Sequence, residues 1–129
     1  MKLTDQAKKL IDGKNFASVA TLMPDGSLQV TPVWVDREGD VVILNAAKSR
    51  QKTRNLKRDP RIAITIFDQN NPYSNVSLRG KAIEITEEGG EAHIDKLNMK
   101  YHGSPNYPRH NPQDPRTLIK VRVDRLANW

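Results

Sequence analysis

The residues with the strongest claim to chemistry lie in one run, Lys48 to Arg61 (KSRQKTRNLKRDPR), where Lys48, Arg50, Lys52, Arg54, Lys57, Arg58 and Arg61 are set against a single acid, Asp59. That excess equals the net charge of the whole chain, +6, so the remaining residues are neutral in sum. Ahead of the run, Val41 to Ala47 is apolar apart from Asn45. Ser49 is an N-cap residue type, and the position before Pro60 is pushed out of the α region, so a strand should end in a short helix that stops at Asp59. Arg50 and Lys52 then sit where free backbone N–H groups already carry about half a positive charge. Such a first turn is unfavourable for an isolated helix and suited to an anion, because N–H groups position a phosphate and an arginine fork orients it. A solvated basic helix face is the competing reading.

Other routes to catalysis are poorly supplied. With no cysteine there is no disulfide, thiol or zinc-thiolate chemistry. His93, His102 and His110 lack metal-ligand spacing, so no metal is expected, and each reads as a solvated or interface histidine. The pairs Glu87-Glu88 and Asp36/Glu38 fall at turns, where solvation accounts for them. An enzyme built this way would rely on a bound cofactor, with the protein supplying position and electrostatics. Nucleic acid is disfavoured, since the bases occupy one helix and neither an aromatic platform nor a recognition helix accompanies them. The start MKLTDQAKKL has no apolar signal core and no run is long enough to span a membrane, which predicts a cytoplasmic protein.

The elements that must carry the basic helix can be placed from periodicity. At 129 residues one domain, 1–129, is expected, burying about two-thirds of its unfolded surface. Leu3, Ala7, Leu10 and Ile11 at helical spacing behind Thr4 predict a helix to Asp12. Phe16 to Leu22 and Leu28 to Asp36 predict a hairpin about Pro24-Asp25-Gly26, and Glu38-Gly39-Asp40 turns into Val41 to Ala47. Pro32 cannot donate to a ladder, so its strand should be an edge, a bulge or a place where something other than a strand binds. Ile62, Ile64 and Ile66 alternate with Ala63, Thr65 and Phe67 in a strand predicted to be buried on both faces. Asp68 to Tyr73 reads as an exposed loop, and Val76 to Thr86 as a strand bent at Gly80. Glu88 to Tyr101 predicts a helix ended by Gly103, Ser104 to Arg116 a proline-rich ordered loop, and Ile119 to Asp124 a last strand. Six strands, three helices and no βαβ rhythm make a mainly β (α+β) fold, a small antiparallel barrel with peripheral helices.

The runs LQVTPVWVD, VILNAAKSRQKTRNLKRDPRIAI, DQNNPYSNVSLRGKAIEITEEG and VRVDRLANW together resemble the pyridoxamine 5′-phosphate oxidase-like family, and within it the small members that use the deazaflavin coenzyme F420. The resemblance spans nearly all of the chain and is most specific from Asn45 to Arg61. It implies a six-stranded split β-barrel homodimer with a cofactor in each interface cleft, acting as a reductase that passes a hydride to an electron-poor small molecule. On that likeness Arg50 and Lys52, with Ser49, Thr53 and Asn55, meet the cofactor phosphate. Gln29, Val30, Thr31 and Pro32 line one side of the ring, with Asn45, Ala46, Ala47 and Lys48 on the strand beside it. Tyr73, Ser74 and Asn75 reach the cofactor from the partner subunit. Gln29 and Thr31 read equally as an ordinary solvent face, Tyr73 as a barrel-end cap, and Trp34 and Trp129 as packing. Lys48, Tyr73 or water would supply the product's proton, and no catalytic residue is assigned. An FMN enzyme of the same fold and a non-catalytic cofactor-binding protein are the alternatives.

Overall fold

In the computed structural model, which describes residues 1–127, the two edges of the sheet are joined by only two residues. Strand β1 (Ala17–Leu22) pairs with β2 (Leu28–Val33) across the predicted hairpin, and β3 (Asp36–Glu38) pairs with β4 (Val41–Ala47) across the next turn. Helix α2 (Gln51–Arg58) leads to β5 (Arg61–Asp68), which pairs with β6 (Asn71–Thr86). Helix α3 (Gly90–His102) and a proline-rich loop then lead to β7 (Arg116–Ala127). The antiparallel order is β2-β1-β5-β6-β7-β4-β3. Its first and last members are linked through Trp34 and Val35, a distance of at most about 10 Å. The sheet must therefore curl until its edges approach, which makes an open barrel.

Seven strands are present among the described residues, rather than the six expected. The run from Leu28 to Asp36 is not one strand, because Val35 turns inward and is fully buried, and Asp36 to Glu38 pair with β4 instead of β1. The turned backbone is satisfied by side chains: Lys100 Nζ donates to the Val35 carbonyl at 2.8 Å and the Val35 N–H donates to Tyr101 Oη at 3.1 Å. Pro32 lies on an edge strand, as its missing N–H requires.

Two further expectations are corrected. Strand β5 is not buried on both faces: Ile62, Ile64 and Ile66 enter the core, while Ala63, Thr65 and Phe67 are half-buried. The loop after Asp68 is shorter than expected, since β6 begins at Asn71. The bend at Gly80 is present as register slips at Arg79/Gly80 and Ala82/Glu84. A side chain there would overlap the Arg122 carbonyl, so glycine is required for the close approach of β7.

Helix α1 (Asp5–Asp12) is capped by Thr4, whose hydroxyl accepts from the Ala7 N–H, and buries Ala7, Leu10 and Ile11. These join Leu44, Ile64, Ile66, Leu78 and Ile119 in one core. No helix among the described residues is long and apolar enough to cross a membrane.

Candidate functional site

The basic helix α2 begins one residue later than expected, with Arg50 rather than Ser49 at the N-cap and no side chain capping its N–H groups. Ser49 is tied elsewhere: its N–H and hydroxyl both donate to the Asp114 carboxylate, at 2.9 and 2.5 Å, which fixes the side chain on the loop before β7 instead of over the helix start. Packing explains why the helix nevertheless stands there. Leu56 enters the core, the Thr53 hydroxyl donates to the Ala47 carbonyl at 2.9 Å, and the Asn55 amide donates to the Thr21 hydroxyl at 3.0 Å. Thr53 and Asn55 are buried and tie α2 to the sheet. Tertiary contacts thus hold in place a helix end with no acid in its first turn.

That end opens on a cleft of about 380 Å³, within the range of small-molecule sites. Arg50 and Lys52 line it from α2, Asn45, Ala46 and Ala47 from β4, and Thr31 and Pro32 from the edge of β2. A third cation, Arg116, enters from the start of β7, and among the described residues no Asp or Glu lines the cleft. Burial pushes the Lys52 ammonium below its ordinary value, with Arg50 and Arg116 adding repulsion. Burial likewise lowers Arg116. Cations gathered in this way would be stabilised by an anion between them.

Thr31 supplies a second sign of a missing ligand. The residue lines the cleft, and its buried hydroxyl has no hydrogen-bond partner among the described residues, a state that costs about 1–3 kcal/mol. Aromatic side chains complete the lining. Phe16, Trp34 and Tyr107 supply them, and the Trp34 ring meets Tyr107 edge-on at 6.2 Å. A planar ring with a phosphate matches all three features: stacking surface, orphan donor and cationic helix end.

The other residues implicated by sequence lie outside the cleft. Gln29 turns to the Thr21 hydroxyl at 3.5 Å, and Val30 is 63% exposed on β2. Lys48 is exposed and pairs with Glu87 at 3.3 Å. Tyr73 is 91% exposed, Ser74 borders a separate polar depression beside α1, and Asn75 donates to the Pro72 carbonyl. Trp129 lies outside the described residues. Sequence reasoning missed Phe16, Trp34, Tyr107 and Arg116 as cleft residues. It also took His93 for a solvated or interface group, whereas that side chain is buried between Asn45 and Asp36. The available signal was the proline-rich loop, since Tyr107 sits within it and Arg116 closes it.

The sequence matches the family model described as pyridoxamine 5′-phosphate oxidase over residues 3–129. The chain belongs to the pyridoxamine 5′-phosphate oxidase family. Among solved structures, one described as an F420 reductase has a TM-score of 0.83 and 29% identity, covering 97% of this chain and 98% of the other. Two more distant relatives share the fold. A conserved hypothetical protein of Mycobacterium tuberculosis has a TM-score of 0.73 and 23% identity, covering 97% of this chain and 84% of that one. HupZ of Group A Streptococcus has a TM-score of 0.71 and 23% identity, covering 96% and 91%. No curated protein matches the sequence significantly. Within the family fold, this chain's cleft joins the edge strand β2, the strand β4 and the uncapped end of α2.

Proposed function

We propose that this family member is a coenzyme F420-dependent reductase acting on an electron-poor small molecule such as an enone, a quinone-like compound or a tetrapyrrole. The observation that carries the reading is the uncapped cationic end of α2 opening onto a cleft that also holds an orphan hydroxyl, Thr31. The likeness to an F420 reductase over almost the full length of both chains supports the choice of deazaflavin over FMN.

In this reading Arg50 and Lys52 hold the phosphate, and the Thr31 hydroxyl donates to an acceptor on the ring. Phe16, Trp34 and Tyr107 exclude water from the ring and present flat apolar surface. When bound, the deazaflavin supplies a hydride donor. The residues of the cleft contribute chiefly orientation, and among the described residues no carboxylate lines it. A proton for the product comes from water or from a phenol. Tyr107 is the phenol in the cleft of one copy, while Tyr73 reaches a cleft only across a dimer.

A homodimer completes the proposal. Leu28 and Val30 are 69% and 63% exposed on the edge strand β2, beside the cleft, and a second copy covers them. The protein acts in the cytoplasm on a small molecule, without nucleic acid. The deciding experiment is a spectroscopic titration of the purified protein with each cofactor, followed by turnover of the reduced deazaflavin with an enone and a quinone. Binding of FMN alone would favour the flavin enzyme. Binding of the deazaflavin without turnover of any acceptor would favour a cofactor carrier.

A further inference from the structure

The Asn45 amide, in the floor of the cleft, has its orientation dictated by two neighbours. Its Nδ2 lies 2.9 Å from the Gly90 carbonyl, which only accepts, and its Oδ1 lies 2.8 Å from Arg116 Nε, which only donates. The same Nδ2 is 3.1 Å from Nδ1 of His93. Nδ1 must therefore be the acceptor, and the ring proton sits on Nε2, which donates to Asp36 Oδ2 at 3.1 Å.

Asp36 is suited to that task. Burial alone would raise its pKa, but donation from His93, from the Arg37 N–H at 2.8 Å and from Lys96 outweighs this and holds the carboxyl well below its ordinary value. The chain of contacts runs from Lys96 at the surface through Asp36, His93 and Asn45 to Arg116. It crosses β3, α3, β4 and β7. Its far end is fixed from the other side as well, since the Arg116 N–H donates to Glu91 and the guanidinium lies over the Tyr107 ring. Gly90 belongs to the same device, because a side chain there would overlap the Arg116 carbonyl and lift α3 from β7.

Resting on the anion-cleft reading of the function, we propose that His93 is a positioning residue for ligand capture: its Nδ1 lone pair locks the Asn45 amide, which in turn aims Arg116 into the cleft. A second proton on the ring would set N–H against N–H at Asn45. Relief by flipping that amide would place its oxygen against the Gly90 carbonyl and its nitrogen against Arg116. The charged groups facing this ring are Asp36 on β3 and, through Asp36, Lys96 on its own helix, with Arg116 of β7 beyond Asn45.

The test has two independent readouts. In the ligand-free protein near pH 8, ¹⁵N NMR of the imidazole should show Nε2 protonated and Nδ1 bare; the opposite tautomer or an imidazolium overturns the proposal whatever the protein binds. For ligand capture, dissociation constants for FMN and for the deazaflavin are measured near pH 8 in wild type, His93→Leu, His93→Asn and Asp36→Asn. His93→Leu should weaken binding about five- to tenfold, the effect of one lost hydrogen bond. His93→Asn, which keeps an acceptor where Nδ1 was, should stay within about threefold of wild type on the same scale. Asp36→Asn should behave like His93→Leu, because its oxygen is kept by the Arg37 N–H and its amide then faces Nε2. His93→Leu in an Arg116→Ala background should cost nothing further. Wild-type affinity in both His93→Leu and Asp36→Asn, or equal losses with and without Arg116, would overturn the positioning role. Failure of wild type to bind either cofactor would instead overturn the ligand reading on which it rests.

Discussion

The phenol ring of Tyr101 lies flat against the indole of Trp34, with centroids 5.0 Å apart and planes 7° from parallel. Its hydroxyl donates to the Asn15 carbonyl at 2.6 Å and accepts from the Val35 N–H at 3.1 Å. One residue of α3 thus holds the approach to β1, the turned link between β2 and β3, and the aromatic wall of the cleft.

Tyr101→Phe separates these duties. The stack remains while the Val35 N–H and the Asn15 carbonyl lose their partner. The expected loss of stability is about 1–3 kcal/mol, measured by urea unfolding, with the environment of Trp34 by near-UV circular dichroism unchanged. A neutral substitution would mean that water replaces the hydroxyl.

Legibility in the sequence followed the reach of each interaction. The basic helix, the strand before it and the edge position of Pro32 were readable because charge, periodicity and a missing N–H act within a few residues. Ser49 was misread because its partner, Asp114, lies 65 residues away and outcompetes the cap. Trp34 and Val35 continue the apolar pattern of β2, so only the tertiary pull of Tyr101 and Lys100 shows that the strand ends there. Tyr107 and Arg116 lie in or beside a loop without period, whose prolines mark the segment but not which of its residues wall a cleft. Thr53 and Asn55 resemble phosphate ligands by type and position, but the turn of the helix directs them inward to Ala47 and Thr21.

Arg50→Ala should weaken binding of a phosphate-bearing cofactor by about 1.5–3 kcal/mol, the range for a hydrogen bond to a charged group. Thermal stability without ligand should be unchanged or slightly higher, because a cation leaves the first turn of α2. Calorimetric titration and thermal melts of the same preparation check both. Lost stability with intact affinity would make Arg50 structural.

The loop that carries Tyr107 is fastened by His110, whose ring nitrogens lie 2.6 Å from Glu91 and 2.7 Å from Asp95. Both carboxylates raise the His110 pKa above its ordinary 6.5. The clamp therefore contributes fully below about pH 6.5 and is lost as pH rises through the raised value. Asp95 works in the opposite sense. The Tyr107 N–H and His110 lower its pKa, so its share is present above the ordinary carboxylate value and lost on acidification. Hydrogen-exchange protection of the Tyr107 amide should be greatest near pH 5–6 and fall towards pH 9, and His110→Gln should flatten that fall. A flat wild-type profile would remove the clamp.

Val30→Asp places a charge on the exposed apolar edge of β2. Light scattering should give a dimer for wild type at micromolar concentration and a monomer for the variant, with cofactor affinity reduced alongside. A wild-type monomer would leave Tyr73 and its loop out of the site.

The choice between deazaflavin and FMN turns on salt. Arg50 and Lys52 suffice for one phosphate, which leaves Arg54, Lys57 and Arg58 along the same short helix. The anionic glutamate tail of the deazaflavin offers these cations a partner and FMN does not. Arg54 and Arg58 already donate to neutral acceptors, Gln51 and the Leu22 carbonyl, so a carboxylate has only weak bonds to displace. Contacts of this solvated kind contribute about 1 kcal/mol or less each and are screened over about 8 Å at physiological ionic strength. The deazaflavin should therefore bind more tightly than FMN at low salt, with a preference that narrows as salt rises and grows with tail length. Both dissociation constants, measured at low and high ionic strength with short- and long-tailed deazaflavin, test this. Tighter FMN binding, or a deazaflavin affinity indifferent to salt and tail length, would transfer the assignment to a flavin enzyme of the same fold.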